Sequence, residues 1–117
     1  MKKDAPYVMV YKNGFVDIAQ QLNKSELRVF SYIFNNADFG NICYSWQKDI
    51  SDNTDLNPPR VSSAVKQITS LNLMKRYRHG FMLNPEYFVL GPMEEKPKLH
   101  AMYNKLGNQE IINAEAY

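Results

Sequence analysis

The chain has 117 residues, 44% of them hydrophobic, and carries 14 Lys plus Arg against 12 Asp plus Glu, so it can bury one core of ordinary size but not two. A single cysteine excludes an internal disulfide, and Cys43 with two distant histidines, His79 and His100, makes no zinc set. No apolar run approaches 18 residues, and the apolar part of "MKKDAPYVMVYKNG" is too short for a signal peptide, which predicts a cytoplasmic protein with no membrane partner.

The near-neutral net charge of +2 hides an uneven distribution. Between Leu56 and Pro85 stand Arg60, Lys66, Lys75, Arg76 and Arg78, with His79 beside them and no Asp or Glu. The rest of the chain therefore holds nine of the cations and all twelve acids. Polarity of this kind speaks to partners rather than to fold, and phosphate is the simplest partner.

In chain order, "YVMVY" (Tyr7 to Tyr11) is aromatic and β-branched and reads as a strand or extended arm closed by a turn at Asn13-Gly14. Phe15, Ile18, Ala19 and Leu22 then recur at helical spacing. "NKSELRVFSYIFNN" restarts a helix, with Asn23 or Ser25 as cap and Leu27, Phe30, Ile33 and Phe34 along one face. Asn35 to Asn41 is a turn, "NICYS" a brief strand, and Ser45 the expected cap of a short helix, "WQKDISDN". Cys43, between Ile42 and Tyr44, reads as a small buried hydrophobe.

The next helix is the best marked. Asn57 is a natural N-cap, and Pro58 and Pro59 suit a first turn, where the N–H groups they lack have no intrahelical acceptor. Val61, Ala64, Val65, Ile68 and Leu71 form an apolar stripe, with Arg60, Ser63, Lys66, Gln67 and Ser70 opposite. "LMKRYRHGFML" then reads as two antiparallel strands joined at His79-Gly80, a wing. The folded core is expected to end near Pro92. Beyond it, "PKLHAMYNKLG" places Leu99, Met102, Tyr103 and Leu106 on one helix, stopped by Gly107.

This order predicts a mostly α fold with a small β component (α+β), a winged helix-turn-helix domain over 1–92 and a polar tail with a short amphipathic helix over 93–117. In such a motif the second helix lies in the major groove. Arg60 suits the O6 and N7 of guanine, Gln67 suits adenine, Ser62 and Ser63 suit a base edge or phosphate, and Lys66 suits phosphate. Lys75, Arg76, Arg78 and His79 of the wing are expected over backbone or minor groove. The competing reading is an ordinary solvated face. Against it stand three cations within four residues at a hairpin tip, which repel one another unless an anion offsets them.

Tyr32, Tyr44 and Trp46 suggest a stacking platform for single-stranded nucleic acid, but most of these rings are better assigned to the core. Tyrosines without paired histidines do not make a strand-nicking nuclease, and Asp49, Asp52 and Asp55 read as a capped, solvated loop rather than a metal site. No catalytic constellation, metal site or cofactor is expected, and the chain is read as a binding protein and not an enzyme.

"LRVFSYIFNN", "KDIS", "RVSSAVKQITSLNLMKR" and "GFMLNPEYFVLG" together resemble the RepL family of plasmid replication proteins from Gram-positive bacteria, from Tyr7 to about Gly91. "MLNPE", Met82 to Glu86, is the most specific part. The resemblance implies initiation or maintenance of replication by binding duplex DNA at an origin, with host replication proteins supplying the chemistry. It supports Arg60, Ser62, Ser63, Lys66, Gln67, Lys75, Arg76 and Arg78 as DNA contacts. The alternative on the same fold is a transcriptional repressor or a partition or copy-control regulator. A homodimer is expected through the arm or the tail helix; the other reading is that both fold back on their own core.

Overall fold

The computed structural model describes residues 9–106, so Tyr7 of the expected arm and the Gly107 stop lie outside the described residues. In order come β1 (Met9–Val10), α1 (Lys12–Gln21), α2 (Lys24–Asn35), β2 (Ile42–Cys43), α3 (Gln47–Thr54) and α4 (Pro58–Ser70). Then follow β3 (Met74–Tyr77), β4 (Gly80–Leu83), β5 (Phe88–Val89), a 3-10 turn over Met93–Glu95 and α5 (Lys96–Lys105). The fold is mostly α, with two small antiparallel sheets, as the periodicity predicts.

Two helix starts follow the capping rules. At α2 the Asn23 side chain accepts from the Glu26 N–H at 2.8 Å, and the Glu26 carboxylate accepts from the Asn23 N–H at 2.9 Å, a reciprocal pair that satisfies two orphan donors. At α4 the Asn57 side chain accepts from the Arg60 N–H at 3.0 Å, with both prolines in the first turn.

Two other starts differ from expectation. Asn13 and Gly14 are not a turn but part of the first turn of α1. Glycine is needed there for space, since a Cβ would stand 2.6 Å from the Tyr87 Cβ. The cap of α3 is Trp46 rather than Ser45: the Trp46 N–H donates to the Asp49 carboxylate at 3.1 Å, and Ser45 is buried just before it.

The three-stranded sheet has the order β2-β4-β3, and both its faces are covered. Strand alternation sends Cys43, Met74, Phe81 and Leu83 into the core made by α2, α3 and α4, whose centre is Val29, Ile33, Ile50, Val61, Val65 and Ile68. The intervening Ile42 and Met82 face the other way and meet Val89, Leu99 and Tyr103. Helix α5 thus packs on the sheet of its own chain. Burial of Leu99 alone is worth about 1.5–3 kcal/mol.

The arm is tied down as well. β1 pairs with β5 in the register Met9 to Val89 and Val10 to Phe88, and the Lys96 ammonium donates to the Tyr11 hydroxyl at 2.9 Å. Beside it Val10, Phe15 and Leu27 remain exposed along a groove floored by Phe30 and Phe88.

Asn41 fastens the layers together. It is fully buried in a left-handed conformation (φ 68°), and its side-chain amide donates to the Leu83 and Phe88 carbonyls at 3.0 and 2.8 Å. Its side-chain oxygen accepts from the Leu90 N–H at 2.9 Å. One side chain therefore satisfies three buried main-chain groups between β4 and β5.

Candidate nucleic-acid interface

The outer face of α4 is built as its periodicity demands. Val61, Ala64, Val65 and Ile68 are buried, which turns Arg60, Ser63, Lys66 and Ser70 to solvent, with Ser62 and Gln67 half-buried on the two flanks. Arg60 and Lys66 form no ion pair among the described residues. The Ser70 hydroxyl donates to the Gln67 carbonyl at 2.7 Å, which occupies it within the helix.

The hairpin divides its cations between two faces. Arg78 and His79 form the exposed tip, with Arg78 at φ 51°, so the turn falls one residue earlier than the sequence suggests and Gly80 opens β4. A Cβ on Gly80 would lie 1.9 Å from the Cys43 carbonyl oxygen, so only glycine lets β2 cross there.

Lys75 and Arg76 are not at the tip. Lys75 points to the α5 side, where its ammonium donates to the Tyr103 carbonyl at 3.1 Å and lies 4.4 Å from the centre of that ring. A cation at the last turn of a helix complements its dipole. Burial lowers the Lys75 pKa. Arg76 points to the α3 side, is only 8% exposed, donates to the Gln47 side-chain oxygen and lies 5.0 Å from the Phe81 ring centre. Burial lowers its pKa to about 10, which still leaves it charged at neutral pH.

Beside this surface stand Gln47 and Lys48, which escape the sequence reading, and Tyr44 and Trp46, which it weighs as a stacking platform but assigns mostly to the core. Tyr44 is 67% and Trp46 50% exposed, whereas hydrophobicity assigns such rings to the core. The available signal is alternation, with Cys43 and Ser45 inward and Tyr44 and Trp46 outward. The Trp46 ring lies against the His79 imidazole, centroids 4.5 Å apart, and Tyr44 meets Tyr77 edge-on at 6.4 Å. Lys48 pairs with Asp52 at 3.2 Å across open solvent. Between the start of α3, the start of α4 and the hairpin opens a cleft of about 590 Å³, with Trp46 and Lys48 on one wall and Arg76 within it.

The acids of α3 serve local ends: Asp49 caps, Asp52 meets Lys48, and Asp55 ends the helix in a left-handed conformation (φ 61°). No group of three or more His, Cys, Asp or Glu among the described residues is placed to hold a metal ion. No helix among them is long and apolar enough to cross a membrane.

The turn Asn84 to Glu86 has a structural task. Asn84 donates from its side chain to the Asn72 carbonyl at 2.7 Å, and its side-chain oxygen accepts from the Glu86 N–H at 2.9 Å, which locks the end of α4 to the chain leaving β4. No curated protein and no solved structure matches the chain. A family model described as Firmicute plasmid replication protein (RepL) matches residues 1–116, nearly the whole sequence, and includes this turn together with the α4 face and the hairpin. The chain accordingly belongs to the RepL family of Firmicute plasmid replication proteins.

Proposed function

We propose that this plasmid replication protein is a winged helix-turn-helix binder of duplex DNA at a replication origin, acting without chemistry of its own and recruiting host enzymes. The observation that carries the reading is the outer stripe of α4, where Arg60, Ser63 and Lys66 stand exposed on a helix without an acid. α4 enters the major groove, Arg60 and Gln67 read base edges, Ser62 and Ser63 bond base or phosphate, and Lys66 holds the backbone. Arg78 and His79 lie on the flanking backbone, and Lys48 joins them from α3. Lys75 and Arg76 act indirectly, by fixing the hairpin that presents the tip.

One domain of this size covers a modest footprint, so two copies on paired or repeated sites are part of the proposal. The direct test is binding of the full chain to origin duplex, followed by fluorescence anisotropy across a salt series, with a random duplex as control. Affinity for origin sequence that falls steeply with salt supports the reading. Equal, salt-insensitive binding to both rejects it. A footprint over a promoter palindrome instead of origin repeats moves the protein to the regulator class. Sedimentation that finds a monomer at tens of micromolar, with and without DNA, removes the dimer.

A further inference from the structure

Trp46 is placed where packing does not require it. Half of its surface is open to water, yet its main-chain N–H is fixed to Asp49 at the start of α3, and its indole lies on His79 of the hairpin tip. An aromatic ring left in water while its position is constrained by two elements is a surface prepared for a flat partner.

The cleft beside it supplies the remaining chemistry. Its volume of about 590 Å³ falls within the range of about 300–1,000 Å³ that accommodates small ligands. Its wall is the indole, its interior holds the cationic Arg76 steadied by Gln47, and Lys48, paired with the lining Asp52, stands at the rim, 84% exposed in its side chain. An aromatic face, an inner cation and amide for polar edges, and an outer ammonium for phosphate match a nucleotide part by part. A base within a duplex cannot enter, because both its faces are stacked and its pairing edge is occupied. The occupant must be unpaired, either extruded from the helix or part of a melted strand.

We propose that the Trp46 cleft captures an unpaired nucleobase, giving the protein a single-strand DNA site separate from the duplex face of α4. The proposal rests on the reading that the protein works on DNA, and it adds a second state of that DNA. A protein carrying both sites holds duplex through α4 and traps a base of an adjoining strand as it opens.

Trp46 is the one tryptophan of the chain, so its fluorescence reports this site alone. The experiment titrates the full chain with short oligothymidylate, with oligodeoxyadenylate and with an abasic strand of equal length, reading tryptophan emission and the anisotropy of the labelled strand together. Base stacking of about 1–3 kcal/mol predicts that base-bearing strands quench Trp46 and bind about 5- to 150-fold more tightly than the abasic strand. Trp46→Ala removes that preference while duplex affinity stays within about twofold, and Trp46→Phe, which keeps a stacking ring and serves as the folding control, restores part of it. Equal binding of abasic and base-bearing strands with unchanged emission overturns the proposal. So does a Trp46→Ala variant, folded by circular dichroism, that loses duplex and single-strand affinity in equal measure, which assigns the ring to the duplex backbone. Quenching by single strands without origin-duplex binding keeps this site and rejects the origin-binding reading instead.

Discussion

The Tyr103 hydroxyl of α5 donates to the Asn72 side-chain oxygen at 2.7 Å, joining α5 to the second residue beyond α4. Asn72 stands at φ 59°, and its carbonyl also accepts from the Asn84 side chain. The end of α4, the return strand of the hairpin and α5 thus meet at one asparagine. Burial, with Tyr87 adding to it, pushes the Tyr103 pKa upward, so the phenol remains a donor through the ordinary pH range.

Removing only this bond is expected to be mild. Tyr103→Phe should lower unfolding free energy by about 0.5–1.5 kcal/mol, because the exposed Asn72 regains water. Leu99→Ala in the same helix should cost about 2–5 kcal/mol through the cavity it leaves. Urea unfolding of the two variants checks the ranking, and equal losses would show that α5 is held by its hydrogen bond rather than its apolar face.

Asn41→Ala should be far more damaging than its single side chain suggests. Three buried main-chain groups lose their partner, at about 1–3 kcal/mol each, so a loss of at least about 3 kcal/mol is expected. Thermal unfolding with a shift of only a degree or two would disprove the clamp.

Close approach constrains two glycines to different degrees, Gly80 against backbone and Gly14 against a side chain. Gly80→Ala forces the β2 backbone away and should disrupt pairing of β2 with β4. Gly14→Ala gains about 1 kcal/mol of helix propensity but must displace Tyr87, and overpacking of about 1–3 kcal/mol outweighs it. Amide hydrogen exchange distinguishes them: protection falls in β2 and β4 for the first and around Tyr87 for the second.

Salt dependence should count only the cations that face outward. With Lys48, Lys66 and Arg78 each neutralising one phosphate, the log–log slope on duplex DNA is expected near about −2.7. Lys66→Ala should reduce its magnitude by about 0.9. Lys75→Met should leave the slope unchanged and instead lower stability, since Lys75 is bound to α5. A reduced slope for Lys75→Met would return that residue to the interface.

Sequence preference should reside in α4. Arg60→Ala and Gln67→Ala are each expected to cost about 1–3 kcal/mol on the preferred site and little on random duplex, while Arg78→Ala weakens both alike. Binding selections from a randomised duplex library compare the three, and a selective Arg78→Ala variant would transfer the reading role to the hairpin.

Local features were the legible ones. The Asn57-Pro58-Pro59 start of α4, the Asn23 cap and the hairpin follow from residues a few positions apart, and the structure has them all. What escaped depends on distant partners. Gly14 looks like a turn until Tyr87 is seen against it, and Trp46 looks like core until the hairpin tip is found to hold it at the surface. Lys75 and Arg76 look like tip cations because nothing in the sequence reveals that α5 covers one face of the sheet. Once both faces are covered, strand alternation takes one cation inward on each side.

The bond between Lys96 and Tyr11 spans 85 positions, and β1 finds its partner only at Phe88 and Val89. Helices α2, α3 and α4 meet through much shorter loops, whose closure costs less entropy, so they assemble ahead of it. During synthesis, β1 must wait for some eighty further residues, roughly 4–16 s at ordinary elongation rates, with Met9 and Val10 unpaired. The first described strand therefore docks late, and the nascent protein carries an open edge until Phe88 and Val89 have been made.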